Sequence, residues 1–489
     1  MKKFKKILAL SLAAVTAAAG VCLTACNFSG QEDDPYDDDG NLVKDVTIKF
    51  LNIWPEHQEI FDEIIEDFTN EHPHILVDHQ QSCDYTNVTS VVRQDYQAGD
   101  LADVFFFWTH QTNLLVNDEV QIADDISDMF EDEEYYHSFM NEGGIADMGV
   151  IGGKYYNVPL RMTGHILIYN KSMFDEFGIE NAPATLEELE ETLGVIKAKG
   201  ANKNIIPLSV YGNTGTFPSV YYAMLRYIEV LSGTVNDPAY YTGILDKSSE
   251  EYLDAQAAAL DKAAYWYDAG YIGSGASGKT ETSVQNEFMN GSCAIAFINN
   301  NRYPEMKAEL AKEGVEVGAI AFPAPASLVE QGEGGYVSGG VDGFSIARTS
   351  KHKKEARIFL KYLTSRAAME KFTEDAGSVM ARSDVVYKNE DTKALAETMK
   401  GVGKYERFST VRVNTTDVDG SYKSNRVSAY ISGSRAGGAK ELCKSFIATD
   451  YRDMQDPLLN NPTLEWIAPT PGYIDFTKAE TFIAWLKKR

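Results

Sequence analysis

The stretch VTIKFLNIWPEHQEIFDEIIEDFTNEHPHILVDHQ, residues 46–80, carries two periodicities in succession. Val46, Ile48 and Phe50 alternate with other residues, as in a strand with one buried face. Ile60, Phe61, Ile64, Ile65 and Phe68 then recur at helical spacing, and Pro73 marks the stop. ILVDH (75–79) predicts a second strand. Working outward, TNVTSVVRQDYQAG (86–99) predicts a helix closed by Gly99, and ADVFFFW (102–108) a third strand. Strand, helix, strand, helix, strand points to an α/β protein with a parallel sheet.

The pattern then repeats with longer helices. YNVPLRMTGHILIYN (156–170) reads as extended. ATLEELEETLGVIKAKG (184–200) opens with Thr185 and Glu188 as a capping box, and Leu186, Leu189, Leu193 and Ile196 form its core stripe. The stretch from Ser219 to Gly270 is largely helical, with a break near Gly233–Pro238. SCAIAFIN (292–299) and EVGAIAFP (316–323) are strands, KKEARIFLKYLTS (353–365) is an amphipathic helix, and so is the closing KAETFIAWLKKR.

The first residues bear on compartment. Lys2, Lys3, Lys5 and Lys6 precede an apolar run of small residues, the pattern of a targeting signal spanning 1–25. Its end, Leu23-Thr24-Ala25-Cys26, resembles a bacterial lipobox. That resemblance implies cleavage before Cys26, lipid attachment to its sulfur, and a body held at the extracellular face of the cell membrane. Residues 26–45 are acidic and polar and predict a disordered tether. Loss of 1–25 removes four lysines and no acid, taking the formal charge from −27 to −31. Such a surface repels phosphates and excludes a nucleic-acid partner. Cys83, Cys293 and Cys443 are too few and too scattered for a disulfide framework or metal cluster. His72, His74, His79 and Asp78 straddle a helix end and a strand, which suits solvated histidines rather than a metal site.

GSGASGKT (273–280) fits the phosphate-loop pattern G-x-x-x-x-G-K-[ST]. The context is wrong: DKAAYWYDAGYI before it is a helix end, where the dipole is negative, rather than a buried strand. A flexible turn is the expectation, and no cofactor is implied.

Five pieces, in this order, resemble family 1 extracellular solute-binding proteins of ABC importers. They are the lipobox; FTNEHPHILV with QAGDLADVFFF; YYNVPLRMTGHILIYNKSMFDEFGIENAPATLEEL; FMNGSCAIAFINN; and GGVDGFSIARTSKHKKEARIFLKYLTS. The match runs from about residue 46 to 387. The resemblance implies a two-lobed, type II periplasmic-binding-protein-like fold with a ligand cleft between lobes. It places lobe 1 at 46–162 plus 321–378 and lobe 2 at 163–320 plus 379–489, with crossings near Pro159–His165, Ile320–Pro325 and Gly377–Arg382. It further implies a monomer that binds a carbohydrate, closes over it and docks on a permease, breaking no bond.

Sugars offer apolar ring faces and a rim of hydroxyls, so their sites need aromatic planes and planar polar groups. Trp54 and Trp108 end strands, where ligands gather in open α/β sheets. By the resemblance, Trp266 supplies a stacking plane in the second lobe. Glu56, His110 and Gln111 stand beside the first two tryptophans, and Arg161 lies at the first crossing. Asn299 and Asn301 follow the AIAF strand with Asn300 between them, and Gly340 and Asp342 lie in SGGVDGF. Tyr211 and Phe217, flanking GNTGT, are weaker candidates. Two other readings remain open: a secreted glycoside hydrolase, whose carboxylate pair no motif selects among 72 acids, and the same fold holding a non-sugar solute.

Overall fold

Strand β1 (Val46–Leu51) buries Val46, Ile48 and Phe50 and turns Thr47 outward, as its alternation requires. It pairs in parallel with both β2 (Ile75–Gln80) and β3 (Val104–Trp108). The intervening helix, Gln58–Glu71, lays Phe61, Ile64 and Phe68 onto them. Gly99 closes the Val88–Ala98 helix in a left-handed conformation that a side chain would resist. The computed structural model describes residues 35–37, 42–84, 87–116, 120–139, 145–233, 250–373, 378–400, 418–446 and 475–489.

A short hairpin, β4 (Val150–Ile151) with β5 (Lys154–Tyr155), leads into β6, Val158–Asn170. The second lobe adds β7 (Ile206–Ser209), β8 (Cys293–Asn299) and β9 (Val317–Ile320). The chain then returns through β10 (Ser338–Ile346) and the short β11 (Val379–Met380). The strands run β2-β1-β3-β10-β6-β8-β7, with β9 and β11 also pairing β6. This sheet is mixed, not parallel: β10 comes back from the second lobe and so enters the first antiparallel to β3.

Two buried apolar clusters hang on this frame. One gathers Phe50, Phe61, Phe106, Phe344 and Phe359; the other gathers Leu189, Tyr227, Leu260, Trp266 and Phe297. Strand β6 serves both, with Leu160 and Met162 in the first cluster and Leu167 in the second. Thr185 caps the Leu186–Gly200 helix by accepting from the Glu188 amide, as its sequence predicts, while the Glu188 carboxylate takes the Ala184 amide.

Two boundaries differ from the sequence expectation. Residues following 378 stay with the first lobe: Val379 and Met380 pair with Met162 and Arg161, and the Ser383 amide donates to the Ser138 carbonyl. The end of the acidic tether is ordered against the protein. Tyr36 bridges to Leu42, hydrogen-bonds Glu355, and receives the Lys354 ammonium over its ring at 3.8 Å. An aromatic inside an acidic run is what lets the segment dock on the basic start of the Lys353–Leu363 helix. The lipidation position, Cys26, lies outside the described residues.

Helices Val418–Ile431, 438–446 and Glu480–Leu486 cover the second lobe, burying Val427, Ile431, Cys443, Phe482 and Leu486. Lys262 pins this layer. Its side chain is wholly buried, its ammonium lies 2.9 Å from Glu190 and 4.2 Å from the Trp485 ring centre, and it donates to the Lys488 carbonyl at 2.7 Å. Burial pulls the lysine's pKa down, against the pull of Glu190. Glu190→Ala, which strands that charge, is expected to cost about 2–3 kcal/mol of unfolding free energy, measurable by urea denaturation. Where β6 meets β10, a Cβ on Gly339 would lie 2.1 Å from the Thr163 carbonyl oxygen and 2.5 Å from Gly164 Cα. Gly339→Ala is therefore expected to lower stability by about 3 kcal/mol in the same assay, because backbone must move to admit it.

Candidate functional site

The register of the central strands sets the geometry. Trp108 on β3 lies opposite Asp342 on β10, Asp342 opposite Arg161 on β6, and Arg161 opposite Met380 on β11. These four residues form one row across the first lobe. Further along β6, Thr163 faces Gly340, and His165 faces both Ser338 and Asn299. Directly paired residues project to one face and alternate residues share it, so Arg161, Thr163 and His165 look the same way as Trp108, Asp342, Gly340, Ser338 and Asn299. A ladder shift between Asp342 and Gly343 absorbs the irregularity below this row. From Arg161 to His165 the polar face runs about 13 Å, from first lobe to second.

At the first-lobe end the charges are buried. Arg161 Nη2 and Nε lie 3.1 and 3.3 Å from Asp342 Oδ2, and the two residues are 5% and 0% exposed. Arg161 Nη1 donates to His57 Nε2 at 3.2 Å, and its guanidinium lies 4.5 Å from the centre of the Trp54 ring. The cation is thus held by a carboxylate, an imidazole and an indole, which fixes its position. Around it Trp108, Thr163, His165, Ser338 and Asn299 are half-buried and keep surface for contact.

At the second-lobe end, His165 Nδ1 lies 3.2 Å from the Ser338 carbonyl and Nε2 lies 2.9 Å from the Tyr211 hydroxyl. Burial lowers the pKa of His165 and, with Glu281 beside it, raises that of Tyr211. Asn299 Oδ1 accepts the Asn301 amide at 3.0 Å, and the Asn299 amide donates to Glu281 at 2.9 Å. Buried Asn300 accepts the Gly164 amide at 2.8 Å, tying the turn after β8 to the crossing strand.

The structure brings Trp108, Arg161, Asn299, Gly340 and Asp342 onto this one face, with Gln111 and Asn301 half-buried in the adjoining turns. Glu56 is exposed on the turn after β1; its neighbour His57, not Glu56, reaches Arg161. The His110 side chain lies outside the described residues. Two expectations need correction. Trp266 is 0% exposed in the second core, its ring 6.4 Å from Phe322 and its Nε1 donating to Glu190 at 3.0 Å. Glu190 on the Leu186–Gly200 helix and Phe322 hold its ring inside the second core. Trp54 is 1% exposed, stacked at 5.9 Å on Phe61 and capped by Arg161, so it supports the cation and presents no face. Buried Phe217 belongs to the second core. The missed residues are His57, Thr163, His165 and Glu281. Three polar side chains two apart in RMTGH, inside an apolar strand, were the available signal for Arg161, Thr163 and His165.

In the GSGASGKT segment the Lys279 ammonium pairs with Glu287 at 2.8 Å and hydrogen-bonds Ser209 at 3.2 Å, while Thr280 caps the Glu281–Met289 helix. Its lysine and threonine thus have structural work. His79 is held by Asn52, Gln58 and Asp62, and His74 pairs with Asp45. Among the described residues no helix is long and apolar enough to cross a membrane, and Cys83, Cys293 and Cys443 are free and buried.

Comparison with known proteins agrees with this architecture. The multiple sugar-binding protein of Streptococcus mutans is 28% identical over 392 residues, covering 78% of this chain and 83% of that protein. A putative binding protein of Brucella abortus is 26% identical over 349 residues, 68% of this chain and 77% of its own. Among solved structures, RafE in complex with raffinose aligns with a TM-score of 0.58 at 21% identity, covering 84% of this chain and all of that one. The sugar-binding protein MalE of Xanthomonas citri gives 0.63 at 17% identity over 85% of this chain and 98% of its own. The fold is the two-lobed type II arrangement of such proteins. Residues 54–370, more than half of the chain, match the bacterial extracellular solute-binding proteins, and the chain belongs to that family of ABC-transporter binding proteins.

Proposed function

We propose that this protein captures a carbohydrate of oligosaccharide size in the cleft between its lobes and passes it to an ABC import permease, acting as a monomer anchored through acylated Cys26 at the extracellular face of the membrane. The observation that carries this reading is the continuous polar face of β6, β8 and β10, bordered by half-exposed Trp108 and running from one lobe to the other. Trp108 offers an apolar plane for a ring face, and Thr163, His165, Ser338 and Asn299 offer donors and acceptors for hydroxyls. Gln111 and Asn301 extend the rim, and Gly340 keeps the floor low. The locked Arg161–Asp342 pair sets the floor beneath them. Sugar binding is also what the name of the Streptococcus mutans relative and the raffinose complex of RafE record for those proteins.

Because the polar face belongs to strands shared by both lobes, a ligand lying on it touches both and favours the closed arrangement in proportion to its preference for that state.

Thermal unfolding of residues 27–489 against a panel of oligosaccharides tests the reading. A specific sugar at a hundred times its Kd adds about 2.7 kcal/mol and a visible rise in midpoint. Trp108→Ala is expected to weaken that sugar by about tenfold in calorimetric titration and, because its ring also packs on Phe106 and Phe107, to lower the unliganded midpoint. Asp342→Asn should instead destabilise the unliganded protein by about 3 kcal/mol, because it removes the counter-charge of buried Arg161. A panel with no shift would sink the carbohydrate reading.

A further inference from the structure

Tyr211 reaches the second-lobe end of the polar face from the turn after β7, its hydroxyl 2.9 Å from His165 Nε2. With Nδ1 facing the Ser338 carbonyl at 3.2 Å, both ring nitrogens of His165 are engaged and the imidazole is fixed on the face. Tyr211 opens a tight turn, residues 211–216, that runs into the Thr216–Leu231 helix. Its amide donates to Thr216 Oγ1 at 3.1 Å, and its carbonyl accepts the Phe217 amide at 3.1 Å. A Cβ on Gly215 would lie 2.4 Å from Tyr211 Cε2, so the ring lies back on the turn's own backbone. Displacing the turn therefore displaces the hydroxyl.

Two elements that lie off the polar face hold this turn. From one side the GSGASGKT segment offers the Ala276 carbonyl, which accepts the Gly212 amide at 2.9 Å. From the other, the Val418–Ile431 helix offers Ser428, whose hydroxyl donates to the Asn213 carbonyl at 3.1 Å. Asn213 is exposed and Ser428 is buried, so the bond ties a surface turn to a seated helix. Val427 and Ile431 of that helix are buried in the second core, and the Tyr430 hydroxyl donates to Asp261 at 2.7 Å. Ser424, one helical turn before Ser428 and on the same side, lies 3.3 Å from the Tyr222 hydroxyl. The whole helix lies beyond the family match of residues 54–370.

We propose that the Val418–Ile431 helix is a positioning element of the ligand cleft, acting through Ser428 on the 211–216 turn and so holding the Tyr211 hydroxyl on His165. The proposal rests on the carbohydrate reading for what the cleft binds, and adds to it a role for the chain beyond the family match. Ser428 touches no ligand; it sets where the group that orients His165 stands. The GSGASGKT segment braces the same turn from the opposite side, a use for the motif that needs no phosphate.

The test is calorimetric titration of the tightest binder among raffinose, maltose and chitobiose with wild type, Ser428→Ala, Tyr211→Phe and the double variant. Ser428→Ala is expected to weaken binding about threefold and Tyr211→Phe about tenfold. The double variant should bind as Tyr211→Phe does, since Ser428 then has no hydroxyl left to place. Unchanged affinity in Ser428→Ala, or losses that multiply in the double variant, overturns the proposal and leaves the carbohydrate reading standing. If none of the three sugars binds wild type, NMR of the His165 ring nitrogens in the unliganded protein decides. The Nε2 signal should move in Ser428→Ala in the direction in which Tyr211→Phe moves it, and an unmoved signal overturns the proposal. Ser428→Cys, whose thiol is a weak donor, replaces the alanine variant if that one does not fold, and is read in the same way.

Discussion

The structure depends on one strand serving two cores. β6 runs thirteen residues, from Val158 to Asn170, and its neighbours change along its length: β10 and β11 at the first-lobe end, β8 and β9 at the second. Because side chains alternate, Leu160, Met162, Ile166 and Ile168 face the first core, while Arg161, Thr163 and His165 line the other face, which Leu167 continues into the second core. No other described strand exchanges partners in this way. The Gly164–Gly339 contact lets β10 approach it closely, and Asn300 ties it to the turn after β8. A polar face that belongs to both lobes follows from that sharing.

Charge is then distributed with opposite consequences at the two ends. At the first-lobe end Arg161 is fully committed to Asp342, His57 and Trp54, an arrangement that suits a rigid floor. At the second-lobe end His165 hydrogen-bonds the Tyr211 hydroxyl and the Ser338 carbonyl, and the Asn299 amide donates to Glu281.

Much of this was legible in the sequence, for identifiable reasons. The alternation of Val46, Ile48 and Phe50, the stripe through Phe61, Ile64 and Phe68, and the Thr185 cap are local signals, and they formed as expected. The antiparallel entry of β10 was not legible, since it depends on which lobe the chain has just left. Neither was the burial of Trp54 and Trp266: a tryptophan at a strand or helix end has the same sequence signature whether cleft or core receives it. The pairing of His165 with Tyr211 escaped for a similar reason. The two lie 46 residues apart in sequence and meet only through the fold. The ordered end of the tether turns on one aromatic, Tyr36, whose partners Lys354 and Glu355 are more than three hundred residues away.

The central claim is that ligand lies along the shared face of β6 and β10. Amide hydrogen exchange, with and without a saturating sugar, measures this most directly. The account predicts added protection at residues 161–165 and 338–342 together, since both ends of the face are covered at once. Protection confined to one lobe, or appearing instead in the helical layer of residues 418–446, would contradict it.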